Sequence, residues 1–167
     1  ARSSTRVAVA AGTTDLGVVR LVTAADQPLF PVTAITPTLF SPVQLIPVDL
    51  DADGDQDLVA VSNVSGVTNL SLHPGRGCGL YDPEQMLPLG QPLQVTGLVL
   101  IADLEGDGLP EILVPHTLGI TVIPNRRSAP NGQPVLGEPT LVPLTVTNAL
   151  VAVDVDLDHD LDLVTLP

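Results

Sequence analysis

Three short stretches of this sequence place carboxylates at alternate positions, a spacing that can do metal chemistry. The first runs from Asp49 to Asp57 (DLDADGDQD), with acids at positions 1, 3, 5, 7 and 9 and glycine at position 6. A tight loop of this kind can turn several oxygens toward one hard cation, and Ca²⁺ takes about 6–8 oxygen ligands. Glycine allows the backbone to make the sharp turn. The spacing predicts a divalent-cation loop, with Ca²⁺ as the candidate ion.

The acidic stretch recurs twice further along the chain. The second copy runs from Asp103 to Glu111 (DLEGDGLPE) and the third from Asp154 to Asp162 (DVDLDHDLD), so the copies start 54 and 51 residues apart. An EF-hand would carry glutamate at position 12 between two helices, whereas position 12 of the first stretch is Ala60 and both flanks have strand composition. Self-similarity at a period of about 50 residues is typical of repeat architectures.

The negative charge of the chain is concentrated in these stretches. The formal net charge is −13, and 14 of the 19 acidic residues lie in the three copies, while the others roughly balance the six arginines. Like charges packed into short loops repel one another unless a cation neutralises them, and three Ca²⁺ would bring the net charge to about −7. Since no basic face is available to meet phosphates, we expect no nucleic-acid partner.

The segments between the acidic stretches predict an all-β fold. Hydrophobic residues make up 44% of the chain and aromatics only 2%, while 17 prolines and 14 glycines leave little room for long helices. Strands are predicted on both sides of every acidic stretch, for example at Gln44–Val48 and Leu58–Ser62. About four short strands per repeat of about 50 residues is the unit of a β-propeller blade. No apolar run of about 18 residues occurs, so we expect no membrane span.

The repeats predict a single domain over residues 1–167 with about three blade-equivalents. These cover approximately residues 5–48, 58–102 and 111–153, and a further one starts at 161–167. Because propellers close with about 4–8 blades, we expect the chain to be part of a larger propeller. A ring assembled from several copies and an open solenoid-like stack remain alternatives.

The acidic stretches and the apolar strands after them resemble the FG-GAP and VCBS repeats of integrin α-chain propellers, fungal lectins and bacterial extracellular proteins. The resembling segments are DLDADGDQDLVAV (49–61), DLEGDGLPEILV (103–114) and DVDLDHDLDLV (154–164). The resemblance implies about three Ca²⁺, one per loop, held by side chains at positions 1, 3, 5 and 9 and the carbonyl at position 7. The implied side-chain ligands are Asp49, Asp51, Asp53 and Asp57, then Asp103, Glu105, Asp107 and Glu111, then Asp154, Asp156, Asp158 and Asp162, with the carbonyls of Asp55, Leu109 and Asp160.

The second and third copies depart from the repeat pattern. Glu105 and Glu111 stand where aspartate is usual, and Pro110 occupies position 8 of the second loop. In the third loop, His159 replaces the glycine of position 6. We therefore expect the first loop to be the best site.

No catalytic motif accompanies these loops, so we expect a non-catalytic protein. His73, His116 and His159 stand singly and are predicted to be turn or surface residues. We expect a calcium-stabilised scaffold for protein interaction, adhesion or self-assembly. Its contact surface is predicted in the turns 73–79 and 125–137, away from the cation loops.

The same residues allow two alternative functions and predict a cellular location. The alternatives are a carbohydrate-binding propeller and an accessory propeller of a larger secreted enzyme. For the first, Tyr81, Phe30 and Phe40 are the only aromatic side chains that could stack on a sugar. The predicted location is extracellular, on the cell surface or periplasmic, because weak calcium loops need roughly millimolar Ca²⁺.

Overall fold

The computed structural model describes residues 7–10, 15–20, 35–77, 80–126, 133–144, 149–158 and 160–165. All regular structure within these ranges is β-strand, and no helix there is long and apolar enough to cross a membrane. The first sheet has three antiparallel strands, β1 (Val7–Ala10), β2 (Asp15–Arg20) and β3 (Ile35–Pro37). The all-β prediction is confirmed.

The second sheet is a four-stranded antiparallel meander around the first acidic loop. It contains β4 (Pro42–Val48), β5 (Asp57–Val64), β6 (Val67–His73) and β7 (Gln85–Leu87) in sequence order. The two-residue turn Ser65-Gly66 joins β5 to β6 with positive φ at both residues (53° and 82°), which matches the right-handed twist of the paired strands. The acidic loop therefore joins the first two strands, at the opposite end of the sheet from this turn.

The third sheet repeats this arrangement around the second acidic loop. Its first strands are β8 (Leu100–Ala102), β9 (Glu111–His116) and β10 (Gly119–Ile123). A small ribbon of β11 (Asn125–Arg126) and β12 (Val135–Leu136) follows, and β13 (Thr140–Val142) completes the order β13-β10-β9-β8. The last sheet pairs β14 (Leu150–Val153) with β15 (Asp162–Thr165) across the third loop. Each acidic loop thus occupies the same place in a sheet.

Two segments differ from their sequence predictions. The predicted polar turn 125–137 is closed at its base by the ribbon, in which Asn125 pairs with Leu136, and the Gly137 amide donates to the Pro124 carbonyl at 2.7 Å. The apolar residues of 93–102 predict a strand that leads into the second acidic loop, but this segment is ladder-paired only from Leu100. Before that residue, the backbone bonds individual partners in neighbouring strands and does not extend a ladder. The sequence of 29–35 also predicts a strand, and most of that segment lies outside the described residues.

The core lies between the second and third sheets. Alternate residues of a strand point to opposite faces, so Val59 and Val61 of β5 meet Ile112 and Val114 of β9 in one aliphatic cluster. Leu113 points to the other face of the third sheet, where it forms a smaller cluster with Ile120 and with Leu150 of the last sheet. Because both faces of β9 are covered, all six of its residues are buried. The sheets therefore stack face to face along the chain.

One amide side chain also links neighbouring sheets. The Gln44 side chain donates to the carbonyl of Val99 at 2.8 Å and accepts from the amide of the same residue at 2.9 Å. These paired bonds join β4 to the backbone that leads into β8. The division into about three blade-equivalents at the boundaries given above stays a prediction.

Candidate metal-binding loops

The three acidic loops share one closing hydrogen bond. In each loop, the backbone amide of position 2 donates to the carboxylate of position 9, which is the first residue of the following strand. The bonds join Leu50 to Asp57 (2.9 Å), Leu104 to Glu111 (2.9 Å) and Val155 to Asp162 (3.0 Å). The same carboxylate therefore ties the loop entrance to the loop exit in every copy.

Backbone amides inside the loops orient the carboxylates of positions 1 and 5. Asp49 accepts from the amides of Asp53 (3.2 Å) and Gly54 (3.0 Å), and Asp103 accepts from the equivalent amides in the second loop. The position 5 carboxylate accepts the amide of position 7 in all three loops, at 2.8, 2.9 and 3.0 Å. The side chains are thus held by the loop backbone itself.

The loop backbone takes a left-handed conformation at position 4 as well as position 6. The φ angles at position 4 are 58° for Ala52, 68° for Gly106 and 65° for Leu157. Position 6 has φ of 91° at Gly54 and 87° at Gly108. Sequence reasoning identified position 6 and missed position 4, although the glycine of the second loop was a signal for it. His159, at position 6 of the third loop, lies outside the described residues.

Carboxylate oxygens converge most closely in the first and third loops. One oxygen each from Asp49, Asp51 and Asp57 lies within 4.8 Å of the others. In the third loop, oxygens of Asp154, Asp156 and Asp162 converge in the same way. The second loop, described in full, forms no such group of three. Its glutamates at positions 3 and 9 have longer side chains, which place the oxygens differently. The remaining ligands implied by the resemblance lie in the same loops but outside these groups.

Comparison with known families agrees with this repeated geometry. The model of the FG-GAP-like repeat matches residues 29–114, which cover slightly more than half of the chain. The chain belongs to the FG-GAP-like repeat family. Comparisons with curated proteins and with solved structures gave no match. The matched range contains the second sheet and the first two acidic loops. The third loop lies outside that range but has the same hydrogen bond between positions 2 and 9.

The first loop of this FG-GAP-like repeat holds crowded carboxylates that are partly removed from solvent. Burial is the main cause that raises the pKa of Asp51 to about 6, and repulsion from the carboxylates of Asp57 and Asp53 contributes to the same increase. Burial also raises the pKa of Asp57, against the opposing effect of the amide bonds from Gly75 and Leu50. Both shifts mean that the ionised carboxylates are destabilised where they stand. A divalent cation would remove that repulsion, and all donors are hard oxygens, so these residues fit Ca²⁺.

In the second loop, the pKa of the position 9 carboxylate is also raised. Burial raises the pKa of Glu111, opposed by backbone amide bonds, while Glu105 and Asp103 raise it further. The side chain of Glu111 is buried, although residues 105–108 of the same loop are exposed. The second loop therefore keeps the buried anchor of the FG-GAP-like pattern without the close group of three.

Two turns predicted to lie away from the cation loops are in contact with the first loop. The Gly75 amide, after β6, donates to Asp57 at 2.7 Å. Asn125 of β11 donates through its side-chain amide to the carbonyl of Leu50 at 2.6 Å. The prediction was wrong because β6 runs antiparallel to β5, so its end returns to the end of the sheet at which the acidic loop enters β5.

The histidines are more buried than the sequence predicted. His73 and His116 are fully buried, so their prediction as turn or surface residues is wrong, and burial lowers the pKa of both. His116 accepts the Leu118 amide at Nδ1 (3.2 Å) and its Nε2 lies 2.9 Å from Thr121 Oγ1, so Nε2 carries the hydrogen. His73 Nε2 lies 3.9 Å from Glu84 Oε1. Their places at strand ends gave no signal of burial.

Proposed function

We propose that this chain is a calcium-stabilised, non-catalytic repeat scaffold for protein interaction, adhesion or assembly outside the cytoplasm. The observation that carries the proposal is the recurrence of one hydrogen-bonded acidic loop at the same place in three successive sheets. FG-GAP repeats are typical of extracellular proteins, and extracellular Ca²⁺ concentrations suit loops of moderate affinity.

The first loop would hold its ion through Asp49, Asp51, Asp53 and Asp57, with the carbonyl of Asp55. Calcium supplies positive charge at the centre of these oxygens, which offsets their mutual repulsion. The chain itself holds the carboxylates in place, since loop amides orient Asp49 and Asp53, and Asp57 ties both strand ends together. An ion bound to the folded loop stabilises the fold by mass action.

The second and third loops would use the equivalent positions. Their proposed side-chain ligands are Asp103, Glu105, Asp107 and Glu111, then Asp154, Asp156, Asp158 and Asp162, with the carbonyls of Leu109 and Asp160. The converging oxygens of the third loop favour it over the second, whose glutamates must adjust around an ion. We therefore propose about three Ca²⁺ per chain, with the weakest affinity in the second loop.

Thermal unfolding with and without Ca²⁺ tests this proposal. Saturating one site at about 100 times its Kd adds about 2.7 kcal/mol of stability, so we expect Tm to rise by about 5 °C or more. Asp51→Ala combined with Asp53→Ala should lose the part of the rise that comes from the first loop and so give a much smaller rise than the unsubstituted chain. Glu138→Ala, which removes an exposed carboxylate outside the loops, should keep it. An unchanged Tm of the unsubstituted chain at millimolar Ca²⁺ would remove calcium stabilisation from the account.

The two alternative functions stay predictions. For a carbohydrate-binding propeller, Tyr81 and Phe40 are each partly buried, and Phe30 lies outside the described residues. Burial of Tyr81 raises the pKa of its phenol, and Asp57 raises it further. Because this ring lies near the first loop, we favour a structural role for it over sugar stacking. The third possibility, an accessory propeller of a secreted enzyme, depends on sequence beyond these residues.

A further inference from the structure

A turn outside the first acidic loop is packed directly against it. We call residues 74–77 and 80–82 the flanking turn. Its Gly75 amide donates to the Oδ1 atom of Asp57 at 2.7 Å, while the Oδ2 atom accepts from Leu50 within the loop. Both oxygens of Asp57 are therefore fixed by backbone amides, one of which comes from another part of the chain.

The contact is too close for larger residues at two glycine positions. A Cβ atom on Gly75 would collide with the backbone carbonyl of Gln56, which precedes Asp57. A Cβ atom on Gly77, whose φ is +70°, would lie 2.7 Å from the Oδ1 atom of Asp55. Two consecutive residues of the first loop, Asp55 and Gln56, thus lie directly against the backbone of the flanking turn.

The flanking turn is a hydrogen-bonded unit. Asp82 donates its amide to the Pro74 carbonyl (2.8 Å), and Arg76 donates its amide to the Leu80 carbonyl (2.9 Å). The Arg76 side chain, 65% exposed, pairs with the Asp82 carboxylate. Gly75 also forms an isolated bridge with Tyr81. A displacement of Gly75 would therefore move Arg76 and Tyr81 as well.

Among the described residues, no turn outside the loop donates a hydrogen bond to the position 9 carboxylate of the second or third loop. The carboxylates of Glu111 and Asp162 accept amides only from their own loops there. Within the described part of the chain, a hydrogen bond from an outside turn to the position 9 carboxylate thus distinguishes the first loop from the other two.

We propose that metal binding in the first loop and the position of the flanking turn are coupled, with Gly75 as a positioning residue for Asp57. This inference rests on the proposed function, because it requires an ion in the first loop. Asp57 already accepts the Gly75 amide, so an ion held by Asp57 would restrain this carboxylate further, and the flanking turn would then keep Arg76 in one arrangement. Because coupling between two sites is reciprocal, a displaced turn must also weaken metal binding. The first loop is then a calcium-responsive element that controls a surface turn.

Tyrosine fluorescence gives a local readout of this coupling. Tyr81 is the only tyrosine and the chain has no tryptophan, so its emission reports on the flanking turn. We expect Ca²⁺ to change the emission in a saturable way and to slow amide exchange in the turn. Asp51→Asn should abolish both changes, whereas Asp156→Asn, at the same position of the third loop, should leave them intact.

A glycine substitution tests the reverse direction. Gly75→Ala should lower the calcium affinity of the first loop about tenfold or more, the usual cost of losing a group that orients a ligand. Gly119→Ala is a stringent control, because its Cβ would also collide with a backbone carbonyl, that of Val142, at the end of a sheet away from the loops. Its φ of +141° adds backbone strain that Gly75→Ala does not have, so it destabilises the fold at least as much without touching the first loop. Equal losses of affinity in both variants would contradict the proposal.

The outcomes separate this inference from the proposed function. Calorimetric calcium binding without any change in Tyr81 emission or in turn exchange would overturn the coupling alone. An absence of calcium binding would overturn both proposals. If Gly75→Ala does not fold, the exchange of the unsubstituted chain with and without Ca²⁺ decides the question.

Discussion

At the scale of single residues, the loops combine favourable oxygens with an unfavourable backbone. Ala52 and Leu157 carry side chains at a position with φ near 60°, where L-residues are strained, while the second loop has glycine there. Asp51 and Asp57 are crowded, buried carboxylates with raised pKa values. Strain and repulsion in the same loop indicate that its shape is selected for something other than the stability of the metal-free chain.

Glycine at position 4 should relieve the backbone strain. Ala52→Gly is expected to stabilise the chain by about 0.5–1 kcal/mol, since the left-handed conformation costs alanine about 1–2 kcal/mol and glycine's greater freedom in the unfolded chain offsets part of that. Urea unfolding in the absence of metal measures the difference. Ala102→Gly, in strand β8, should instead destabilise the chain. A loss of stability in Ala52→Gly would show that position 4 is not strained.

Sequence reasoning located the loops but not all of their backbone. The glycines of position 6 predicted a sharp turn, whereas the left-handed position 4 was hidden because alanine and leucine occupy it in two copies. The amide of Gly75 could not be anticipated as a partner of Asp57, because 18 residues separate them and only the return of β6 brings them together.

At the scale of elements, one four-stranded meander explains where each loop lies. Antiparallel neighbours are joined by short connections, so the acidic loop joins the first two strands and the tight turn joins the next two at the other end. Alternating side chains then give each sheet two apolar faces. Strands beside the loops were predictable from β-branched runs. The ribbon of β11 and β12 could not be predicted in this way, because its two strands pair at the base of a polar segment that has few apolar residues.

The same strand position is buried in the second sheet and exposed in the last sheet. Val59 and Val164 are each the tenth residue after the first aspartate of their loop, and both lie on the strand that follows it. Val59 is completely buried between sheets, whereas Val164 is 41% exposed. Burial of a valine side chain is worth about 1.5–3 kcal/mol.

Equivalent valines should therefore differ in their contribution to stability. Val59→Ala is expected to lower the free energy of unfolding by about 2 kcal/mol or more, because it leaves a cavity in the core. Val164→Ala should cost less than about 1 kcal/mol, since its side chain already contacts water. Chemical denaturation of both variants measures the difference. Equal effects would contradict the stacking of the second and third sheets.

At the scale of the whole molecule, the second, third and last sheets form a series in which the third packs one face on the sheet before it and the other on the sheet after it. The third sheet has both faces covered, which explains its fully buried central strand. In the last sheet, Val151, Val153 and Val164 are exposed at positions whose counterparts are packed in the earlier sheets. The repeat period of the sequence predicted that similar all-β units recur along the chain, whereas the burial of His73 and His116 depends on packing that no local pattern shows.

The most direct test of the central claim is a crystal structure of the chain grown with Ca²⁺. The account predicts one ion in each acidic loop, at about 2.3–2.6 Å from carboxylates of positions 1, 3, 5 and 9 and from the carbonyl of position 7. Weaker occupancy is expected in the second loop. Loops that keep their metal-free geometry at millimolar Ca²⁺, with no ion density between Asp49, Asp51 and Asp57, would contradict it.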